Sequence, residues 1–265
     1  MVASTQSAAA HVLWDELAGF PAAQSDDALR HLMRQLCGIA NAVNVVWFGG
    51  IRMGTSMPDD PMQGWRMRNV QMLHATEALK ACADEHINMV ELGLADVMIQ
   101  RNIEQTGVFR ANRLCDLVDE NWFDSAYYNA YYRSVGLVDA IWVGFPINED
   151  AESWFGVLRA TDAGRFTPSD RDQVAYVLRG IKWFHRQVML SHGVLVAADA
   201  LTGAERDVLR QLLTGRSEKE IASEIGRSYH TVHERVVSIF RKFGVNNRAA
   251  LMALWLGKLP LDRER

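Results

Sequence analysis

The chain has 265 residues, 49% of them apolar, and a formal net charge of −4; the length suggests two domains with enough apolar residues for real cores. It contains no run of about 18 apolar residues, which excludes a transmembrane helix. The opening MVASTQSAAAHVLWDE lacks the basic and apolar regions of a signal peptide, so a cytoplasmic protein is expected.

In chain order, residues 1–7 are small and polar and should fray. Val12, Leu13 and Leu17 predict a helix over Ala8–Phe20 that stops at Pro21. Ser25 or Asp26 caps a second helix, Ala28–Ala42, with Leu29, Leu32, Met33 and Leu36 on one face. Val43–Met53 is β-branched and aromatic and predicts a strand, with Gly49 and Gly50 as a bulge or a close approach. Gly54–Gly64 reads as a loop and Trp65–Met72 as a second strand. His74–Gln105 reads as mainly helical with a break near Gly93, and Val108–Leu114 as a short strand. Asp119–Val135 is expected to be one helix carrying Trp122, Phe123, Tyr127, Tyr128, Tyr131 and Tyr132. Leu137–Pro146 and Ser153–Ala160 are two apolar strands joined as a hairpin through Asn148-Glu149-Asp150. Arg165-Phe166-Thr167-Pro168 closes a turn, and Ser169 or Asp170 begins a long helix to about Leu190. This order fits an α+β domain over residues 1–192, an antiparallel sheet flanked by helices, followed by a linker over 193–200.

Residues 201–265 have a different character. They hold 12 Lys and Arg against 8 Asp and Glu, whereas residues 1–200 hold 16 against 24. The basic balance therefore sits where nucleic-acid binding would need it. Thr202 with Glu205, and Ser217 with Glu220, form two capping boxes, and Ser228 can cap a third helix. Gly215, Gly226 and Gly244 follow the three helical runs, where a left-handed C-cap is wanted. Val232, Val236, Ile239 and Phe243 make one buried stripe. The opposite face carries His230, Glu234, Val237 and Arg241, with His233 and Ser238 at its edges. Short helix, turn, short helix and longer helix suit a helix-turn-helix that enters the major groove.

The matching residues are L-T-x-x-E at Leu201–Glu205, V-L at Val208–Leu209, G-x-S-x-K-E-I-A from Gly215 to Ala222, S-x-x-T-V from Ser228 to Val232, I-x-x-K at Ile239–Lys242, and G-V at Gly244–Val245. On these the stretch resembles the LuxR-type (GerE-like) helix-turn-helix of bacterial transcription regulators, over roughly the last quarter of the chain. The resemblance implies an all-α four-helix domain over 201–265 that binds double-stranded DNA. It implies base-facing positions at His233, Glu234 and Val237, and phosphate contacts near Lys219, Ser228, Thr231 and Lys242. Arg235 stands where many members have His, and Glu234 where a small apolar residue is usual. Each recognition helix would read one half-site, so a homodimer on a pseudo-palindromic operator is expected. The last helix, about Asn247–Leu256, offers Leu251, Leu254 and Trp255; the resemblance gives that helix to dimerisation, and core packing is the other reading of these side chains.

The segments VGFPI, FGVLRA and RFTPSDRD, followed by a long helix, resemble the close of a GAF- or PAS-type sensor domain. Seven of the eight tryptophans and five of the six tyrosines precede residue 200. An apolar pocket between sheet and helix, lined by Trp47, Trp65, Trp122, Tyr131, Trp142 and Trp154, is therefore expected to take a small-molecule effector, with ordinary aromatic core as the other reading. Trp47 with Asp60–Pro61 is similar to elements of the acyl-homoserine lactone receptors, although Ile51 stands where that family has Tyr. A phosphorylated receiver is excluded, because the first strand ends in WFGGIRM without paired acidic residues. No catalytic residues, cofactor or metal are expected: there is no phosphate-binding Gly-rich loop or nucleophile elbow, and His230 and His233 lack a third ligand. Cys37, Cys82 and Cys115 are odd in number and far apart and read as buried or half-buried thiols in a reducing compartment. The expected function is a non-enzymatic, ligand-responsive transcription regulator. The alternatives are an acyl-homoserine lactone receptor variant, or an oligomerisation module that no longer binds DNA.

Overall fold

The computed structural model describes residues 2–52, 60–194 and 201–255, with side chains from Ser7 onward. The loop expected from Gly54 as far as Asp59, most of the linker over 193–200, and Leu256 lie outside the described residues. Contacts divide the chain into two compact units, Met1–Ala18 with Arg30–His185, and Gly19–Leu29 with Arg186–Arg265.

The first unit is built from helices α1 (Val2–Ala18) and α2 (Ser25–Ala40, from Arg30 on), strands β1 (Asn44–Arg52) and β2 (Trp65–Met72), and helices α3 (Glu77–Glu91) and α4 (Val97–Ile103). Strand β3 (Arg110–Arg113), helices α5 (Leu114–Leu117) and α6 (Ala126–Tyr131), and the hairpin β4 (Leu137–Asn148) and β5 (Ala151–Ala160) come next. Helix α7 (Pro168–Arg179) and the start of α8 (Lys182–Ser191) end the unit. The five strands pair antiparallel in the order β2-β1-β5-β4-β3, so the α+β class read from the sequence holds. Gly49 follows a register shift between β1 and β2, and Gly93 has φ 71° after α3, both where breaks were expected.

Two expected helices are interrupted. Asp119–Val135 is not one helix but a 3-10 turn at Glu120–Asp124, then α6, then a second 3-10 turn at Arg133–Val135. Ser125 adopts an extended backbone, φ −68° and ψ 157°, and its hydroxyl caps α6 by accepting from the Tyr128 amide. This restart lets Phe123, Tyr127, Tyr128 and Tyr132 gather around Trp122 at centroid separations of 5.4 to 5.9 Å. The long helix to Leu190 is likewise two helices. Its cap is Thr167, in a capping box with Asp170 and with Pro168 in the first turn, rather than Ser169 or Asp170. It breaks after Gly180, where Trp14 Nε1 donates at 3.0 Å to the Val177 carbonyl that a continuing helix would offer to Ile181, Ile181 N turns to the Leu178 carbonyl, and the indole occupies the place of a β-carbon at Gly180.

The sheet has two different faces. Val46, Phe48, Trp142, Trp154 and Leu158 pack toward α3–α6. Alternation sends Trp47, Ser153 and Phe155 to the opposite face. There Trp47 Nε1 donates to Ser153 Oγ at 2.9 Å, Ser153 Oγ lies 2.9 Å from His185 Nδ1, and His185 Nε2 lies 2.9 Å from the Leu178 carbonyl. The order of donors is consistent only with Nε2–H donating to Leu178 and Nδ1 accepting from the serine hydroxyl. Phe145 stacks on the imidazole at 4.2 Å.

The second unit holds α9 (Gly203–Leu213), α10 (Glu218–Glu224), α11 (Tyr229–Lys242) and α12 (Arg248–Trp255), together with a 3-10 turn at Ala22–Gln24 that packs on α9. Both expected capping boxes and the Ser228 cap are present. Gly215, Gly226 and Gly244 have φ 91°, 61° and 60°, the left-handed conformation that lets each helix turn sharply. The core joins Val208, Leu209, Leu212, Ile221, Val232, Val236, Ile239 and Phe243.

Burial holds the His185 imidazole down to about 4, below the usual value of about 6.5. The unfolded chain therefore takes up a proton that the folded chain refuses, and stability falls as pH drops from about 6.5 toward 4. Urea unfolding followed by tryptophan fluorescence is expected to show about 2 kcal/mol less stability at pH 5 than at pH 7 from this group, and His185→Phe should remove that component.

Candidate functional site

Helix α11 begins at the Ser228 cap, whose hydroxyl accepts from the Thr231 amide at 3.1 Å and lies 2.9 Å from Thr231 Oγ1. Its inner stripe, Val232, Val236 and Ile239, is buried. His230, His233, Glu234, Val237 and Arg241 are exposed, as is Lys219 on α10. These residues form one polar face, with Val237 apolar on it at 52% exposure. His233 Nδ1 lies 2.9 Å from Glu218 Oε2 of α10, and its ring stacks beside Tyr229 at 6.0 Å. His230 Nε2 lies 3.3 Å from Glu234 one turn on. The carboxylate at Glu234 is thus flanked by an imidazole rather than standing alone.

Lys242 differs from the rest of the set. Its Nζ meets Glu205 Oε2 at 2.8 Å, and both side chains are nearly buried. Glu205 also accepts from the Thr202 amide and from Ser238 Oγ. Burial alone would raise this carboxyl; the Lys242 ammonium and the hydrogen bonds from Thr202 and Ser238 outweigh it and hold it down to about 2. Lys242 and Ser238 therefore tie α11 to the start of α9. Leu251, Leu254 and Trp255 are 0%, 2% and 6% exposed and belong to the unit's own core, with Trp255 5.7 Å from Phe243. Of the two readings of these side chains, core packing is the one the burial shows.

The first unit contains a cavity of about 160 Å³ between the sheet and α3, α4 and the α6 region. Of the expected aromatic set, Tyr131, Trp142 and Trp154 line it; Trp47, Trp65 and Trp122 do not. Trp47 is on the other sheet face, because strand alternation reverses it relative to Phe48. Trp65 is fully buried beside Trp154, 5.7 Å away. Trp122 donates to Asp96 Oδ1 at 2.9 Å, within the ring cluster at α6. Asp60 also lies away from the lining: it caps its own loop through the Met62 and Gly64 amides and pairs with Arg66 at 3.0 Å.

Sequence reading missed the polar end of the cavity. Glu152 is fully buried and receives Gly107 N at 2.7 Å, Trp154 Nε1 at 2.5 Å and the Arg110 guanidinium at 2.8 Å. Arg110 Nε donates to Asn102 Oδ1 at 2.8 Å, and Arg110 lies across Gly144, where a β-carbon would strike it. His86, also on the lining, has Nδ1 3.2 Å from the Cys82 carbonyl, while Nε2 takes the Tyr127 hydroxyl; burial lowers its pKa. The usable signal was a carboxylate at Glu152 next to the apolar run of β5, because such a group, once buried, demands a partner.

Residues 199–255 match the family of Bacterial regulatory proteins, luxR family. The chain is 40% identical over 57 residues to the nitrate/nitrite response regulator protein homolog of Haemophilus influenzae, covering 22% of this chain and 27% of that protein. It is 43% identical over 53 residues to the transcriptional regulatory protein UhpA of Escherichia coli, covering 20% and 27%. It thus spans about a quarter of the length of these relatives. Among solved structures, SdiA in complex with octanoyl-rac-glycerol is similar at TM-score 0.49 and 12% identity, covering 98% of this chain and 97% of that one. The VqsR LBD domain from Pseudomonas aeruginosa is similar at TM-score 0.45 and 18% identity, covering 68% and 96%.

Glu205→Ala is expected to cost the second unit about 3 kcal/mol, since it breaks a nearly buried pair and leaves the other partners without their acceptor. The carboxylate's contribution is complete above its ordinary range near 4.5 and is lost as pH falls toward 2. Thermal unfolding of wild type and variant at pH 7 and pH 3 measures both: the gap between them should narrow at the lower pH.

Proposed function

Because residues 199–255 carry a luxR-family helix-turn-helix domain, we propose that the chain is a DNA-binding transcription regulator controlled by a small molecule held in the cavity of its first unit. The observation that carries the DNA-binding half is the two-sidedness of α11. One stripe is closed into the core, while His230, His233, Glu234, Val237 and Arg241 stand exposed on the other. A helix so divided can lie in the major groove without losing its packing. Glu234 is suited to accept from a cytosine amino group and Val237 to touch a thymine methyl. His233, whose Nδ1–H is taken by Glu218, presents Nε2 as an acceptor for a base amino group. Lys219, Ser228, Thr231, His230 and Arg241 are placed for phosphates, which set register rather than sequence. Lys242 is left out of this set, because its ammonium is held by Glu205.

The active form is a homodimer on a pseudo-palindromic site. A dimer contact through α12 would use outward residues such as Ala249 and Met252, since Leu251, Leu254 and Trp255 point inward. Control works by differential affinity: a molecule that fits the cavity in one arrangement better than in another shifts the balance between them. The reading assigns no catalytic step.

The test is selection of pooled genomic fragments by the full chain at low and moderate salt. Selected fragments should share a pseudo-palindrome, and affinity should fall steeply with salt through counterion release. Glu234→Ala should relax selection at one base position by about 1–3 kcal/mol, while Lys219→Ala should weaken all fragments alike and flatten the salt dependence. Fragments retained without any common sequence, and equally by a Val237→Glu variant, would replace this reading with that of an interaction module.

A further inference from the structure

The cavity has a floor of unusual make-up. Trp142 on β4 sits opposite Gly156 on β5, and Trp154 on β5 stands diagonal to Gly50 on β1. A β-carbon at Gly156 would strike the Trp142 ring, and one at Gly50 would lie 2.7 Å from the Trp154 ring. Each indole is therefore laid flat across bare backbone, and both line the cavity. Phe48 stands between them edge-on, 6.2 Å from Trp142 and 5.1 Å from Trp154, with interplanar angles of 61° and 84°. Neither indole N–H is free for a ligand: Trp142 Nε1 meets Tyr132 Oη at 3.4 Å, and Trp154 Nε1 donates to Glu152 at 2.5 Å. What the two rings offer the cavity is π-surface.

The lining also includes Met62, Met67 and Met72, at and along β2, and Met98 on α4. Thioethers are polarisable, adapt to irregular shapes and make favourable contacts with aromatic rings. An aliphatic chain needs neither flat indoles nor thioethers, whereas a planar ring uses both.

The polar groups set the ligand's charge. Arg110 and Glu152 neutralise each other at 2.8 Å with side chains 5% and 0% exposed. His86 is driven toward its neutral form by burial. A ligand carboxylate would find no uncommitted cation among the described lining residues, since Arg110 is held by Glu152 behind it, and a ligand cation would find no carboxylate among them. Asn102 is the remaining anchor. Its Oδ1 is taken by Arg110 Nε at 2.8 Å, and its Nδ2 has no partner among the described residues, which leaves a donor for a ligand oxygen. A volume of about 160 Å³ is close to that of apolar cavities known to admit one benzene-sized ring, about 150 Å³.

We propose that the cavity selects an uncharged planar aromatic compound bearing one hydrogen-bond acceptor, stacked on Trp142 and Trp154 with the acceptor at Asn102. The inference rests on the ligand-controlled reading of this cavity and narrows it to a chemical class.

Three probes of similar size separate the terms: benzamide, benzoate and cyclohexanecarboxamide, each titrated into the full chain by calorimetry. The aromatic amide should bind about three- to tenfold more tightly than the saturated amide, the range expected for one offset-stacked pair, and more tightly than the benzoate. Cys82 lines the cavity, so the aromatic amide should slow maleimide labelling of Cys82 while leaving Cys37 and Cys115 unchanged. Trp142→Leu keeps apolar bulk but no π-face and should erase the preference for the aromatic amide, while Trp142→Phe should retain most of it. Unfolding midpoints near wild type verify that both variants fold, and the wild-type comparison stands without them. Equal affinity for the two amides, each protecting Cys82, would overturn the aromatic inference and leave the ligand-binding reading intact. Tighter binding of the benzoate would overturn the assignment of charge. No binding and no protection by any of the three would overturn both.

Discussion

Strand β5 is buried on both sides from Ala151 to Arg159, and this constraint organises the first unit. A polar side chain on such a strand must find a partner or destabilise the fold, and β5 carries Glu152, Ser153 and Arg159. Alternation sends Glu152 to the cavity face and Ser153 to the other. Each becomes the centre of a hydrogen-bonded group that draws in distant segments. Glu152 collects Arg110, Gly107 and Trp154; Ser153 collects Trp47 and His185. Arg159 reaches Asp170 at 3.3 Å and the carbonyl of Ala40. The cavity's polar end is thus a by-product of satisfying the central strand. Its charged groups are already engaged with one another, and that is why so little charge remains to meet a ligand.

The second unit solves the same problem with one residue. Glu205 caps α9 through the Thr202 amide and also takes Ser238 and Lys242 from α11. A capping carboxylate near a helix N-terminus is already favoured by the helix dipole; here it also fixes how α11 crosses α9. The orientation of the polar face of α11 therefore depends on a contact on its inner side. The same contact explains why Lys242, which by spacing belongs with the outward cations, is turned to the interior.

The two halves of the chain were legible to different degrees. In the second unit the caps, glycine stops and the Val232–Phe243 stripe are local, set by hydrogen bonds and spacings within a few residues, and each is present as read. The strands were likewise recognisable from β-branched runs, and the tight connection between β4 and β5 from Asn148-Glu149-Asp150. The break at Gly180 was not legible, because a distant partner, the Trp14 indole, meets the helix there; the restart at Ser125 is set by a local hydroxyl cap that the reading of one continuous helix passed over. Aromatic content pointed to a cavity in the right unit, but only Tyr131, Trp142 and Trp154 of the six chosen residues line it.

By itself the sequence determined the α+β character of the first unit, the helix-turn-helix of the second, and which residues of α11 face away from its core. These depend on periodicity and capping, which act over a turn or a strand and need no knowledge of the rest of the chain. Tertiary structure alone decided which tryptophans meet the cavity, which glycines bear them, where Lys242 goes, and that Leu251, Leu254 and Trp255 close a core. A one-residue step along a strand reverses a side chain's face, and whether a cation is outward or paired depends on a carboxylate from another helix. Both are facts of register and packing between segments far apart in the chain.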